Sequence, residues 1–289
     1  MEVSLFEALQ LPFMARAALT LAVLALAAGV VGLGINFREL EFVSDGLVHA
    51  VFPGLVIGAA LGGSAALLPG ALIAALVAAV LFTLLQQRGG AGSDAAIAVV
   101  LTGLFSLGVV LVSKQHGYVS QLQDLLFGNL LTVTQTQLWQ IVVVAVLAVT
   151  IMLATGRAQL FRAFDAAGFE ASGFRPLRTD LALAAATALL VVAGVQALGV
   201  LMVVALLTVP MAVARLVTRR LVLLVPLAIV VPLIAGMTGL ALSFQLSVTR
   251  GVSVSAAALV VLLLVAFYAL AVVFTLLRRA LLSRAAVRA

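Results

Sequence analysis

Asp45 and His49 stand four residues apart in an apolar stretch, FVSDGLVHAVFPG over residues 42–54. In a helix that spacing puts a carboxylate and an imidazole on one face, a turn apart. Such a pair suits a borderline divalent cation, zinc or manganese, with metal–ligand distances of about 2.0–2.2 Å for zinc. The chain has no cysteine, which argues against a thiolate site for copper(I) or cadmium. There are competing readings. Ser44 or Asp45 could cap the start of a helix, and His49 could be a core histidine bonded to a carbonyl. Two ligands do not make a tight site, and a weak, incomplete site suits a pathway that must release its cargo.

No other constellation promises chemistry. The nucleotide-binding pattern G-x-x-x-x-G-K-[ST] is absent, and the single lysine, Lys114, follows Ser113 rather than a glycine. The two histidines are His49 and His116, too few for a histidine-rich zinc centre, and a Ser-His-Asp triad is improbable. The chain is therefore expected not to be an enzyme. No resident cofactor is implied.

The elements that must hold Asp45 and His49 are membrane spans. Of the 289 residues, 65% are apolar and 9% are charged, and the mean hydropathy is +1.34. A water-soluble chain carries about a quarter charged residues, so water is excluded as the main solvent. A helix needs about 20 apolar residues to cross a bilayer. Runs of that kind occur near 15–35, 46–63, 66–86, 95–113, 137–156, 180–198, 199–217, 221–245 and 252–277. The expected fold class is all-α, a polytopic membrane bundle of eight or nine spans in a single domain over 1–289. The 180–198 and 199–217 runs are divided only by Ala197-Leu198-Gly199, so a re-entrant piece is the alternative to a ninth span. The opening MEVSLFEALQLPFMARA carries Glu2 and Glu7 where a signal peptide is basic. It reads as a short amphipathic helix on the membrane surface.

Arginine sets the orientation. The chain carries a net charge of +6, with sixteen Lys and Arg against ten Asp and Glu. Thirteen of the sixteen basic residues fall in segments 36–45, 87–94, 157–179, 215–220 and 278–289, against three, Arg16, Lys114 and Arg250, on the other side. The bias places the first set, and the C-terminus, in the cytoplasm of a multi-pass protein of the cell membrane. Scattered between apolar runs, these charges form no nucleic-acid footprint. The outer loop 114–136 holds His116, Asp124 and Asn129. The inner loop 157–179 has helical spacing at Leu160, Phe161 and Phe164, followed by Gly168, Gly173 and Pro176. It reads either as a solvated connector or as a short helix that docks a partner.

Several further residues carry weaker signals. Gly54, Gly58 and Gly62 share a face and permit close helix approach. Pro53, Pro210, Pro226 and Pro232 lie in or near spans and predict kinks. Met202 and Met211 read as packing residues rather than soft ligands. Gln196, Thr208 and Gln245 are expected to bond across helices.

Four stretches give the chain its likeness to a known family. These are FVSDGLVHAVFPG (42–54), SDAAIAVVLTGLFSLGVVLVS (93–113), LLFGNLLTVTQTQL (125–138) and ALGVLMVVALLTVPMAVARLVTR (197–219). Together they resemble the membrane permease subunits of the zinc, manganese and iron ABC importers, which have the type II importer fold. The resemblance implies a transport subunit for a divalent transition metal, zinc or manganese and less readily iron. It implies an ATP-binding-cassette ATPase as a separate chain, an extracytoplasmic metal-binding protein that delivers the ion, and a second permease copy, most simply as a homodimer. By the same resemblance Asp45 and His49 are the metal-contacting pair. The loop around Phe164, Asp165, Phe169, Glu170 and Gly173 is the element that couples to the ATPase. Two departures stand out: Ser44 replaces a glycine often found before the aspartate, and 93–113 lacks a histidine that some relatives carry. An ABC permease for a metal chelate such as a siderophore or cobalamin, or an ion-coupled secondary transporter, would use similar helices. The latter usually shows an internal repeat, and none is evident.

Overall fold

The computed structural model describes residues 10–87, 93–113, 127–251 and 254–288. The N-terminal segment with Glu2 and Glu7, Arg88, Lys114, His116 and Asp124 lie outside the described residues. Among the described residues ten α-helices follow one another: α1 Pro12–Phe37, α2 Glu41–Gly62, α3 Leu67–Gln87, α4 Ser93–Val112, α5 Gln135–Phe164, α6 Ala166–Ala171, α7 Pro176–Leu198, α8 Val200–Val217, α9 Leu221–Arg250 and α10 Ala256–Arg288. All but the six-residue α6 are long and apolar enough to cross a membrane, so the described residues hold nine candidate spans. The pair at 180–217 is two spans. Gly199 ends α7 and caps α8 with φ +78° and ψ 164°, a conformation open essentially to glycine alone.

The bundle has an inner set and an outer set. α1, α2, α7 and α8 bury most of their length, while α3, α4, α5, α9 and α10 ring them. α2 packs against α3, α4, α7 and α8, and α1 packs against α5, α7, α8 and α9. Lipid offers no hydrophobic drive for helix association, so close packing of small residues must supply it. The α2–α3 crossing shows this. A Cβ added at Gly54 would collide with Ala74 and the Gly70 carbonyl, and one at Gly58 with the Ala66 carbonyl. The glycine face expected on α2 is thus the face that meets α3.

The connections are built by local hydrogen bonding. α1 ends in a Schellman turn, with the Leu40 amide donating to the Ile35 carbonyl (2.9 Å) and the Glu39 amide to Asn36 (3.4 Å). Glu39 takes the left-handed position at φ +54°, where glycine is usual. α5 opens with a capping box between Thr134 and Gln137. Before it, Gly128 (φ +68°) lies against the backbone of Leu198 and Gly199, and the Asn129 amide donates to the Ala197 carbonyl at 3.1 Å. The Phe-Gly-Asn segment is thereby sewn onto the α7–α8 break. Among the weaker signals, Met202 and Met211 are buried, as packing residues should be. Thr208 departs from expectation. Its hydroxyl donates to the Val204 carbonyl of its own helix at 2.9 Å rather than to a neighbour, because a threonine hydroxyl in a helix finds the carbonyl four residues back without any reach.

Candidate metal site and coupling elbow

α2 begins at Glu41, and its cap position is Leu40, which makes no side-chain cap bond. Ser44 and Asp45 therefore lie inside the helix. Ser44 donates its hydroxyl to the Glu41 carbonyl at 2.7 Å, and Asp45 is free of capping duty. With a rise of about 1.5 Å per residue, Asp45 sits about 6 Å and His49 about 12 Å from the start of a span about 33 Å long. Both are in the half of the span nearer Arg38.

The two side chains are together and accessible. His49 Nε2 is 3.7 Å from Asp45 Oδ1, with the imidazole 26% and the carboxylate 37% exposed. That separation is too long for a hydrogen bond. It matches two ligands of one ion: bonds of about 2.1 Å to each atom would subtend an angle of about 120°. Phe105 of α4 meets the His49 ring edge-on at 5.4 Å and also touches Phe52 at 5.6 Å, so the imidazole is held by α4. Among the described residues no group of three or more His, Cys, Asp or Glu converges to hold a metal. Asp45 and His49 thus supply two candidate ligands, both partly exposed.

The second site is the turn between α5 and α7. The helical spacing at Leu160, Phe161 and Phe164 continues α5 without a break to Phe164. Asp165 then serves both neighbours. Its amide donates to the Phe161 carbonyl (2.9 Å), and its Oδ1 accepts from the Gly168 amide (2.8 Å) to cap α6. Gly173 at φ +80° turns the chain, and Pro176 opens α7. Phe169 is fully buried, stacked on Phe174 at 4.9 Å and edge-on to Phe161 at 5.5 Å. The Arg162 guanidinium lies 5.8 Å over its ring. Phe164 is 64% exposed, and Glu170 is exposed as well. The elbow therefore has an aromatic core, Phe169, and an outer face carrying Phe164 and Glu170.

An ion cluster with no counterpart in the sequence analysis links the elbow to the turn that precedes α2. Asp180 on α7, 10% exposed, accepts from Arg38 Nη2 at 2.7 Å and from Arg162 Nε and Nη2 at 2.8 Å each. Gln87 of α3 reaches it at 3.3 Å. Arg162 lies two residues before Phe164 of the elbow, and Arg38 three residues before α2. Around them, Asn36 donates to Glu41 (2.8 Å) and accepts from Arg215 (2.7 Å), whose guanidinium also covers Phe37. Residues 36–41, 87, 162–180 and 215 thus meet at one end of the bundle, as the arginine count requires. One signal in the sequence pointed to Asp180: it is a carboxylate inside the first turns of an apolar run, where membrane physics demands a partner.

Comparisons with known proteins identify the family and the fold. The model of the ABC 3 transport family matches residues 10–275. The chain is 32% identical over 238 residues to the manganese transport system membrane protein MntC of Halalkalibacterium halodurans, covering 82% of this chain and 81% of that protein. It is 28% identical over 242 residues to the manganese import system permease protein ScaB of Streptococcus parasanguinis, covering 84% and 85%. Among solved structures, PsaBC from Streptococcus pneumoniae in complex with Fab superposes with a TM-score of 0.79 at 26% identity, covering 92% of this chain and 94% of that one.

Proposed function

This chain belongs to the ABC 3 transport family, a multi-pass membrane permease, and on that premise we propose that it passes a divalent transition-metal cation into the cytoplasm. The observation that carries the reading is the Asp45–His49 pair, an accessible carboxylate and imidazole 3.7 Å apart in a membrane helix. The relatives named for manganese transport favour manganese over zinc as cargo. The basic end of the bundle, with the elbow and the C-terminus, faces the cytoplasm.

The mechanism follows from an incomplete site. Asp45 supplies charge and oxygen, and His49 supplies nitrogen. Water, or the same pair on a second copy, fills the remaining positions, so the ion is held briefly and released. A separate ATP-binding-cassette subunit docks on the elbow through Phe164 and Glu170, while Asp165, Phe169 and Gly173 keep that surface in shape. An extracytoplasmic metal-binding protein delivers the ion to the opposite end. The Asp180 cluster ties the elbow to the start of α2, so movement of the docked ATPase reaches Asp45 through packed, charged contacts rather than through a flexible loop.

The test is uptake of radioactive manganese by cells carrying D45A or H49A in place of the native permease, with pull-down of the ATPase as the control for assembly. Uptake is expected to vanish in both variants while the ATPase still co-purifies. Undiminished uptake in both would remove the pair from the pathway.

A further inference from the structure

The end of the bundle that holds Asp180 carries a second charged feature, separate from the Asp180 cluster and unrelated to metal passage. From Leu181 to the C-terminus the chain has eight arginines and no carboxylate. Five of them, Arg215, Arg219, Arg220, Arg278 and Arg279, line one cavity of about 530 Å³ together with Thr275. The cavity lies between the α8–α9 connection and the basic-end turns of α10. Arg215 is engaged by Asn36 and Phe37. The side chains of Arg219, Arg220, Arg278 and Arg279 have no partner among the described residues, and none of the described residues lining the cavity is acidic. Orientation alone asks for arginines on this side. It does not ask that two segments some sixty residues apart converge theirs on one concavity.

The flanks of the cavity decide what sort of anion fits. Val217, Leu221 and Val222 on one side and Phe274, Leu276 and Leu277 on the other are exposed, Val222 at 84%. A soluble anion has no use for this apolar rim. A lipid does: phosphate oxygens match the guanidinium forks, while acyl chains cover the exposed aliphatic and aromatic side chains of α9 and α10. Basic pockets between spans at the cytoplasmic surface favour anionic headgroups.

We propose that this cavity binds the headgroup of an anionic phospholipid of the cytoplasmic leaflet, with its acyl chains along α9 and α10. The proposal stands whatever cargo the permease carries. The full-length permease, purified in mild detergent and reconstituted in phosphatidylcholine nanodiscs doped with cardiolipin or phosphatidylglycerol, is examined by native mass spectrometry. The wild type is expected to retain the anionic lipids over phosphatidylcholine. Each arginine near the surface contributes about fivefold in affinity, so R278Q/R279Q is expected to lower retention about 25-fold. R278K/R279K keeps the charge and loses only the forked contacts, so it is expected to lower retention less. That variant carries the test should the glutamine pair fail to fold, as judged by its unfolding midpoint in lipid-free detergent. Three results would overturn the proposal: equal retention of anionic lipid by wild type and variants, displacement of bound lipid by pyrophosphate as readily as by cardiolipin, or loss of ATPase co-purification in variants whose lipid retention is unchanged. The second would mark a site for free polyphosphate, and the third a protein interface.

Discussion

Replacing Asp180 by asparagine keeps the volume of the side chain and removes its charge. The carboxylate now accepts three hydrogen bonds of 2.7–2.8 Å from two guanidinium groups that are themselves 14–15% exposed. In D180N both arginines stay buried with their principal counter-charge gone. Glu170 is 60% exposed and 3.6 Å from Arg162, so it compensates weakly. Breaking a buried pair by removing one partner destabilises a fold by about 3–5 kcal/mol. An exposed pair is worth about 0–1 kcal/mol, so the burial of Asp180 is what decides the magnitude. At about 2–4 °C per kcal/mol for a chain of somewhat smaller size, the unfolding midpoint of the purified permease in detergent should fall by about 6–20 °C. A double variant, R162Q/D180N, should lose less than the sum of its parts, because each change removes the penalty created by the other. A midpoint within about 2 °C of wild type, below about 1 kcal/mol on the same scale, or strictly additive losses would refute the view of Asp180 as the hub of this end.

Three further predictions test other features. G128A forces a Cβ into the Leu198–Gly199 backbone at a positive φ; it should abolish stable expression of the permease, seen by fluorescence-detected size exclusion. E39G relaxes an exposed left-handed residue in the Schellman turn and should raise stability by about 1 kcal/mol, measurable as a higher unfolding midpoint. Within the elbow, F169A should destabilise by about 3–5 kcal/mol, as loss of a buried phenyl does. F164A, on the outer face, should leave the midpoint nearly unchanged and weaken co-purification of the ATPase.

Much of the fold was readable in the residues. Each of the nine apolar runs coincides, among the described residues, with a helix long and apolar enough to cross, since length and hydropathy are all that a bilayer requires of a span. The pair on α2 was readable too, because a four-residue spacing is local geometry. Burial was harder to read. Phe164 ends α5 and Phe169 lies in the six-residue α6, a stretch too short for periodicity to separate the fully buried ring from the mostly exposed one. Capping was equally ambiguous. Ser44 and Asp45 look like the start of a helix, yet the Schellman turn after Phe37 starts α2 a few residues earlier.

Composition and spacing by themselves determined a helical membrane protein of eight or nine spans with its positive charge at one end and a carboxylate–imidazole pair in its second span. Those properties follow from chain-local physics: hydropathy over about 20 residues and a turn of 3.6. Only the tertiary structure decided that Arg38 meets Asp180 across 142 positions, that Gly128 rests on Gly199, and that arginines from two distant segments ring one cavity. Such pairings depend on how the spans cross, and crossing is chosen by shape complementarity among small and large side chains that no single segment encodes.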